Sequence, residues 1–558
     1  MDYTFLVKAS KLYPPAVDAN RDGNITFDTA GQANPDQTSA AKPYRFWVNN
    51  DHDGYDGSID DYDDLDPSRQ TDAQSFSITC TRDLEDYTRL WINTQGLTED
   101  LQNGNLLLAL EWKSALEWKS ALDDPQMQLF QAAETDGGSL YLTDANAAAQ
   151  QVASPYGTRI IEWRHLNTLT KYNPFIFPAS FWSNISTNQP VAYLLFDAVS
   201  RGSGKLVVSI YKNDGETKLA ESQPLYLKLQ DVKEMYERWT VDNNGAVATT
   251  ASLAPGYSYD STIKAENNYI LFVHGWNLAP WERDAFAETA FKHLYWQGYK
   301  GHFGAFQWPT EYGFSGIISV ITDAHNYDNS ESNAWASAAG LLGKLNDLNA
   351  AFPNHIYLMA HSMGNVVAGE ALKQAGTNLP IVNTYVAMQA AVPAHCYDPA
   401  TPNRVAPILP NCYANYWTNG APGYFNGTAG ARNYINFYNQ QDWALGWWNT
   451  DQNYKPDTGY GYDEPTDTFL RGTLWLRPLY FPTNRYEIFA YADPAPCFAL
   501  GAQANVDGAF QGQQIDLHAI FSFGDQHKDH SGEFNSDNMN RWSFWQQFLL
   551  STKLTGPK

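Results

Sequence analysis

Before residue 265 the apolar positions come in short runs, several alternating with polar residues: FWVNN, SFSITC, RLWIN, LLLALEW, MQLFQA, AYLLFDA, KLVVSIY and LYLKL. Clusters of Gly, Asp and Asn separate them. Alternation puts one face of a strand on a core and the other in water, and short runs spaced by turn residues are the signature of a β-sandwich. The spacing predicts an all-β, sandwich-like N-terminal region over 1–265, in one or two modules. Within it, ALEWKSALEWKSAL (109–122) repeats a six-residue unit in tandem. So short an isolated repeat is no solenoid; it reads as a local duplication in a strand or hairpin.

After residue 265 strand and helix patterns alternate. NYILFVHGWN, HFGAFQW, HIYLMAH, VNTYVAMQAAV and NYINFYNQ read as strands. PWERDAFAETAFKHLYWQGY starts as a helix should, with Pro280 and early acidic residues, and NAWASAAGLLGKLNDLNAAF and GNVVAGEALKQAG follow as helices. Alternating βα units predict an α/β domain over 266–558, a mostly parallel sheet with helices on both faces.

Length and charge narrow the picture. A chain of 558 residues is too long for one ordinary core, which agrees with two or more domains. A formal charge of −25 argues against nucleic acid and anionic membranes as partners and favours cations. No apolar run approaches the roughly 18 residues that span a bilayer. The opening MDYTFLVKAS has neither the basic n-region nor the long apolar core of a signal peptide. Four cysteines, Cys80, Cys396, Cys412 and Cys497, are too few for a disulfide scaffold; Cys396 and Cys412 flank one segment and are either paired or free thiols.

The chemistry concentrates at HIYLMAHSMGNVV, residues 355–367. A buried strand turns directly into a helix at Ser362, within the small-x-Ser-x-small pattern of a nucleophile elbow. The residues two positions to either side must be small because strand and helix backbones nearly touch there, and Ala360 and Gly364 meet that demand. A serine nucleophile needs a base, and the base needs an orienting acid. In this architecture they follow in the order Ser, Asp or Glu, His. Asp442, in QDWAL just beyond the strand NYINFYNQ, is the expected acid, with Asp451 and Asp457 as alternatives further on. His530, in GDQHKDHSGEFN before the last helical run, is the expected base, with His527 and His518 as alternatives. Gly275, in FVHGWN, permits a turn that aims backbone N–H groups into the cleft. The expected oxyanion-hole donors are the amides of Trp276 and Met363. His274 reads as structural or pocket-lining.

At HGW, AHSMG, Asp442 and DHSGEF the chain resembles the α/β-hydrolase superfamily, and within it the lipases and esterases, from about residue 266 to the end. AHSMG is similar to a variant found in some bacterial lipases. The resemblance implies an α/β-hydrolase fold, a Ser362–His530–Asp442 triad, an acyl-enzyme, and hydrolysis of carboxylic esters with no cofactor for catalysis. The oxyanion segment HGWN departs from the glycine run of many esterases. Stretches 396–432 and 443–525 exceed a minimal core and read as pocket-forming insertions, rich in aromatic residues suited to a lipid, aryl or sugar ester. Amidase, thioesterase and acyltransferase chemistry use the same triad. The reading of a different class is a surface binding protein or adhesin that retains the domain without turnover.

The N-terminal region adds a second signal. DANRDGNITFD places Asp18, Asn20, Asp22, Asn24, Thr26 and Asp28 at spaced positions around Gly23, and the segment 18–29 resembles an EF-hand or dockerin-type calcium loop. Thr29 stands where that loop usually ends in an acid. A second acidic tract, 49–66, holds eight Asp between positions 51 and 66, with Asn49, Asp51 and Asp53 as candidate ligands. The alternative is a solvated acidic turn. Structural Ca²⁺, an ester substrate that is a small molecule, lipid or polymer, and a secreted, periplasmic or cell-surface location with any signal removed are the expected cofactor, partner and setting.

Overall fold

The computed structural model describes residues 4, 7, 11–28, 33–48, 84–113, 125–131, 164–169, 174–241, 250–312, 319–375, 380–392, 431–442, 444–445, 450–451, 455–456, 499–502, 512–521, 530–535 and 538–554. The chain forms two compact units. One comprises Met1–Met235, Tyr295–Gly298 and Lys558, the other Tyr236–Leu294 and Tyr299–Pro557. All four cysteines, Asp457, His527 and the tract 49–66 lie outside the described residues, as do most of 396–432 and 443–525.

The N-terminal unit is built on strands. They are β1 (Tyr44–Val48), β2 (Thr88–Asn93), β3 (Leu106–Lys113), β4 (Gln126–Gln131), β5 (Arg164–Leu169), β6 (Phe175–Ile176), β7 (Val191–Ser200), β8 (Gly202–Lys212), β9 (Lys218–Glu221) and β10 (Leu225–Asp231). They join in one hydrogen-bonded network, β5-β4-β7-β1-β10-β8-β3-β6, with β2 added on β7 and β9 on β8. The described apolar runs of the sequence coincide with these strands; β10 buries alternate residues Leu225, Leu227 and Leu229, while β3 and β8 are buried in longer unbroken runs. Of the tandem hexads, residues 109–113 lie in a described strand, β3, and the rest lies outside the described residues.

The C-terminal unit carries the α/β sheet. Its strands are β11 (Glu237–Thr240), β12 (Ser252–Leu253), β13 (Glu266–Val273), β14 (Gly301–Gln307), β15 (Ile356–His361), β16 (Val382–Met388), β17 (Ala431–Tyr438) and β18 (Gln513–Asp516), in the order β12-β11-β14-β13-β15-β16-β17-β18. All neighbours are parallel except β11 and β12. Helices α1 (Pro280–Trp296), α2 (Ser319–Ala351) and α3 (Gly364–Ala375) fall between strands as the alternating pattern predicts. The unit begins earlier than the change of pattern at 265, because β11 pairs with β14. The central strands are continuous apolar runs, as expected of a sheet covered on both faces. Leu271 and Val273 of β13, Leu358 and Ala360 of β15, Leu341 and Leu345 of α2, and Val366 and Val367 of α3 share one buried core. That core holds β15 rigid, so whatever follows its last residue is held rigid too. Among the described residues no helix is long and apolar enough to cross a membrane.

Candidate active site

Ser362 follows β15 at once and precedes α3, with φ 50. A non-glycine residue rarely takes this left-handed backbone, and such strain persists only where surroundings over-determine it. Here they do. Ser362 N–H donates to Met388 O (3.0 Å), and Ser362 O accepts from Asn365 N and Ala391 N (both 3.1 Å). The buried Asn365 amide reaches back to Ala360 O and Ser362 O, each at 2.9 Å, while its own oxygen accepts from Tyr385 Oη. The smallness demanded around the serine is real. A Cβ on Gly364 would lie 2.4 Å from His274 O and 2.6 Å from Val273 O.

Beside this turn runs the segment after β13. Its left-handed residue is Asn277, φ 62, and Gly275 is not among the positive-φ glycines. This corrects the reason for the glycine: a Cβ there would sit 2.9 Å from His361 Nδ1 and 3.0 Å from Ser362 Cβ, so the need is for space against the elbow. His274 is buried. Trp308 N–H donates to its Nε2 (3.1 Å), which leaves the proton on Nδ1, 2.8 Å from Gly275 O. Burial pushes this histidine's pKa well below its ordinary value, so the ring is neutral. Its two nitrogens are thus engaged in holding loop backbone, the structural role expected of it. Trp276 lies on the segment that abuts Ser362. Met363 immediately precedes α3, where backbone N–H groups have no intrahelical acceptor.

Asp442, 5% exposed, lies four residues beyond β17. His530 lies just before a one-turn helix, Gly532–Asn535. The fold brings both to the serine. His530 Nδ1 is 2.7 Å from Asp442 Oδ2, and His530 Nε2 is 2.9 Å from Ser362 Oγ. A carboxylate only accepts, so Nδ1 carries the proton and the Nε2 lone pair faces the serine hydroxyl. Asp442 is held on every side: Oδ1 accepts from Ala444 N (2.8 Å) and Leu445 N (3.1 Å), and Oδ2 also accepts from Gln389 Nε2 (2.6 Å). The alternatives stand elsewhere, Asp451 in a two-residue strand and His518 in the short helix Leu517–Ile520.

Three contributors were not singled out in the sequence. Asn365 sits at a polar position of an otherwise apolar helix start. Gln389, φ 39, directly follows β16 and acts on a carboxylate 53 residues away. His361 is the last residue of β15, beside the serine. Each works through a contact that residue spacing does not encode.

In the N-terminal unit the segment 11–28 carries no helix. Asp18 Oδ1 accepts from Asp22 N (2.9 Å) and Oδ2 from Gly23 N (2.8 Å), and Asp22 Oδ1 accepts from Asn24 N (2.8 Å). Asn20 Nδ2 donates to Asp22 Oδ2 (3.0 Å), and Asn20 Oδ1 is buried with no partner among the described residues. Asp36, which the sequence did not flag, accepts from Asn20 N (3.1 Å) and Thr26 N (2.8 Å). Burial, with Asp18 and Asp22 adding repulsion, raises its pKa. Asp28 points instead to Asn34 Nδ2 (2.7 Å). Asn49, Asp51 and Asp53 lie outside the described residues. Among those described, no three His, Cys, Asp or Glu side chains converge as a metal-holding group. A cation at 18–26 would therefore need amide and backbone oxygens beside the carboxylates.

Residues 259–388 match the model of a family described as "Alpha/beta hydrolase of unknown function (DUF900)". The match takes in β13 to β16 with the HG turn and the elbow, and ends before Asp442 and His530. A search of the curated proteins gives no match. Among solved structures the chain is similar to one titled "Crystal structure of esterase PE8", at 13% identity and TM-score 0.18, over 32% of this chain and 71% of that one.

Proposed function

We propose that the C-terminal unit, whose residues 259–388 match an alpha/beta-hydrolase family model, cleaves carboxylic esters through Ser362, His530 and Asp442. The observation that carries this reading is the hydrogen-bonded chain from Ser362 Oγ through both ring nitrogens of His530 to Asp442 Oδ2. As Oγ attacks the ester carbonyl, its proton passes to His530 Nε2, and the imidazolium is stabilised by the carboxylate on its far side. The carbonyl oxygen becomes an oxyanion, met by the N–H groups of Trp276 and Met363. Collapse expels the alkoxide, which takes the proton from Nε2 and leaves as an alcohol. A water, deprotonated by the same nitrogen, then attacks the acyl-enzyme and releases the acid and the serine. No step calls for a metal or organic cofactor.

The test is covalent labelling by a fluorophosphonate together with turnover of chromogenic esters of graded acyl length. Labelling of Ser362 and turnover of at least one ester support the reading. A folded protein that does neither is a binding protein on a hydrolase scaffold. In this reading an extracytoplasmic ester, free or carried on a polymer, is the substrate. Sandwich-like closure of the N-terminal sheet belongs to the same proposal. It is supported by the forks at β7 and β8, where one strand edge serves two partners in succession.

The N-terminal acids are assigned to stability. Asp18, Asp22 and the buried Asp36 repel one another, and the unpartnered Asn20 Oδ1 offers a neutral oxygen beside them. Bound Ca²⁺ would offset that repulsion and, by favouring the folded state, stabilise it by about 2.7 kcal/mol at a hundredfold excess over Kd. Millimolar calcium outside the cell suits such a site. Chelation is expected to lower the melting temperature of the N-terminal unit while ester turnover at low temperature survives, and Asp22→Ala should make melting indifferent to calcium. Identical calorimetric transitions with chelator and with millimolar Ca²⁺ would show these acids to be a solvated turn.

A further inference from the structure

His361 ends β15, one residue before the serine, and is buried. Its Nε2 lies 2.9 Å from the carbonyl oxygen of His530. A carbonyl only accepts, so Nε2 carries the proton. Burial, and then the nearby His530, push the ring's pKa down to about 3, which leaves it neutral with a single N–H. Glu533 Oε1, at 3.6 Å, is beyond hydrogen-bond reach and faces an uncharged ring, so the two form no ion pair. Nδ1 lies against Gly275 with no hydrogen-bond partner among the described residues.

We propose that His361 is a positioning residue: its Nε2–H holds the backbone of His530 so that the base's ring meets Ser362. The proposal rests on the serine-hydrolase reading above. Two consecutive residues grip His530 at two points. Ser362 meets the ring at Nε2, and His361 meets the peptide. Hydrogen bonds at the ring alone leave the backbone behind it free to shift. A displacement of about 1 Å at a reacting group can lower a rate by on the order of 10². The neutrality of His361 also matters. The two rings lie 5.0 Å apart, and His530 becomes cationic during the reaction, so a charged His361 would oppose the step.

The test compares two isosteres. In His361→Gln the amide nitrogen replaces Nε2, whereas in His361→Asn it replaces Nδ1. We expect H361N to lower kcat by on the order of 10²-fold with KM little changed, and H361Q to recover most of it. The rate of fluorophosphonate labelling should follow kcat. Equal kcat in the two variants overturns the proposal. A readout independent of turnover is NMR of ¹⁵N-labelled histidine. The His530 Nδ1–H signal, shielded from exchange by Asp442, should persist in wild type and H361Q and be lost in H361N. Persistence in both variants overturns the proposal. If wild type neither turns over esters nor reacts with the probe, the hydrolase reading fails while this signal still decides the role of His361. If H361N does not fold, the wild-type tautomer decides: a proton on Nδ1 and none on Nε2 is incompatible with the proposal, and a proton on Nε2 supports it.

Discussion

Ser362→Ala is expected to lower turnover of a simple chromogenic ester by about 10⁴-fold or more while the fold stays intact. Four factors of ten correspond to about 5.4 kcal/mol of lost transition-state stabilisation, far more than a lost surface hydroxyl contributes to anything else. The fold should survive because the bonds that hold the turn belong to the backbone: Ser362 N–H to Met388 O, and Asn365 and Ala391 N–H to Ser362 O. Alanine meets the same left-handed backbone at φ 50 that serine already occupies, so strain is little changed. The variant should therefore match wild type in melting temperature and lose all labelling by a fluorophosphonate. Near-wild-type turnover by a purified, folded S362A would remove Ser362 from the mechanism.

How much of this was legible in the sequence depends on the range of each constraint. Ser362 was legible because the elbow is local: a buried strand, a small residue, the serine, a small residue and a helix occupy one short stretch, and sterics between adjacent backbones dictate them. The helices and parallel strands after 265 were legible for the same reason. Asp442 and His530 were placed by order along the chain and by position, Asp442 just beyond a strand and His530 before the last helical run, which is weaker than a local motif. Their meeting at Ser362 comes from strand order, which puts β17 two strands from β15.

What stayed hidden acts across the fold. Gln389 looks like a polar break in an apolar run, yet its amide is one of four donors on Asp442. Asp36 lies outside the spacing of the 18–29 loop and enters it only through the Asn20 and Thr26 amides. The ERWT of β11 is too short to announce a strand, and it exists because β14 offers a parallel edge. Gly275 was legible as necessary but for another reason than the one that applies, because close approach and positive φ leave the same mark in a sequence.

His530→Ala should be nearly as damaging as the serine change, and the double variant S362A/H530A no worse than either, because residues that act as a unit do not lose their effects additively. The hydroxyl is a poor nucleophile with nowhere to send its proton. Among the described residues the only ring nitrogen that meets it is His530 Nε2, freed for the purpose because Nδ1–H is committed to Asp442. Removing the ring leaves that arrangement with no acceptor. It does not leave Asp442 as an unpaired buried charge, since Gln389 Nε2 stays on Oδ2 and the Ala444 and Leu445 amides stay on Oδ1. Loss of activity should therefore far outrun loss of stability, and melting curves should show a small shift beside a collapse in kcat. His527→Ala serves as the comparison and should be mild. If H527A abolishes turnover while H530A preserves it, the base is the other histidine. If the double variant is far worse than both single ones, the two residues act independently and a shared proton transfer is ruled out.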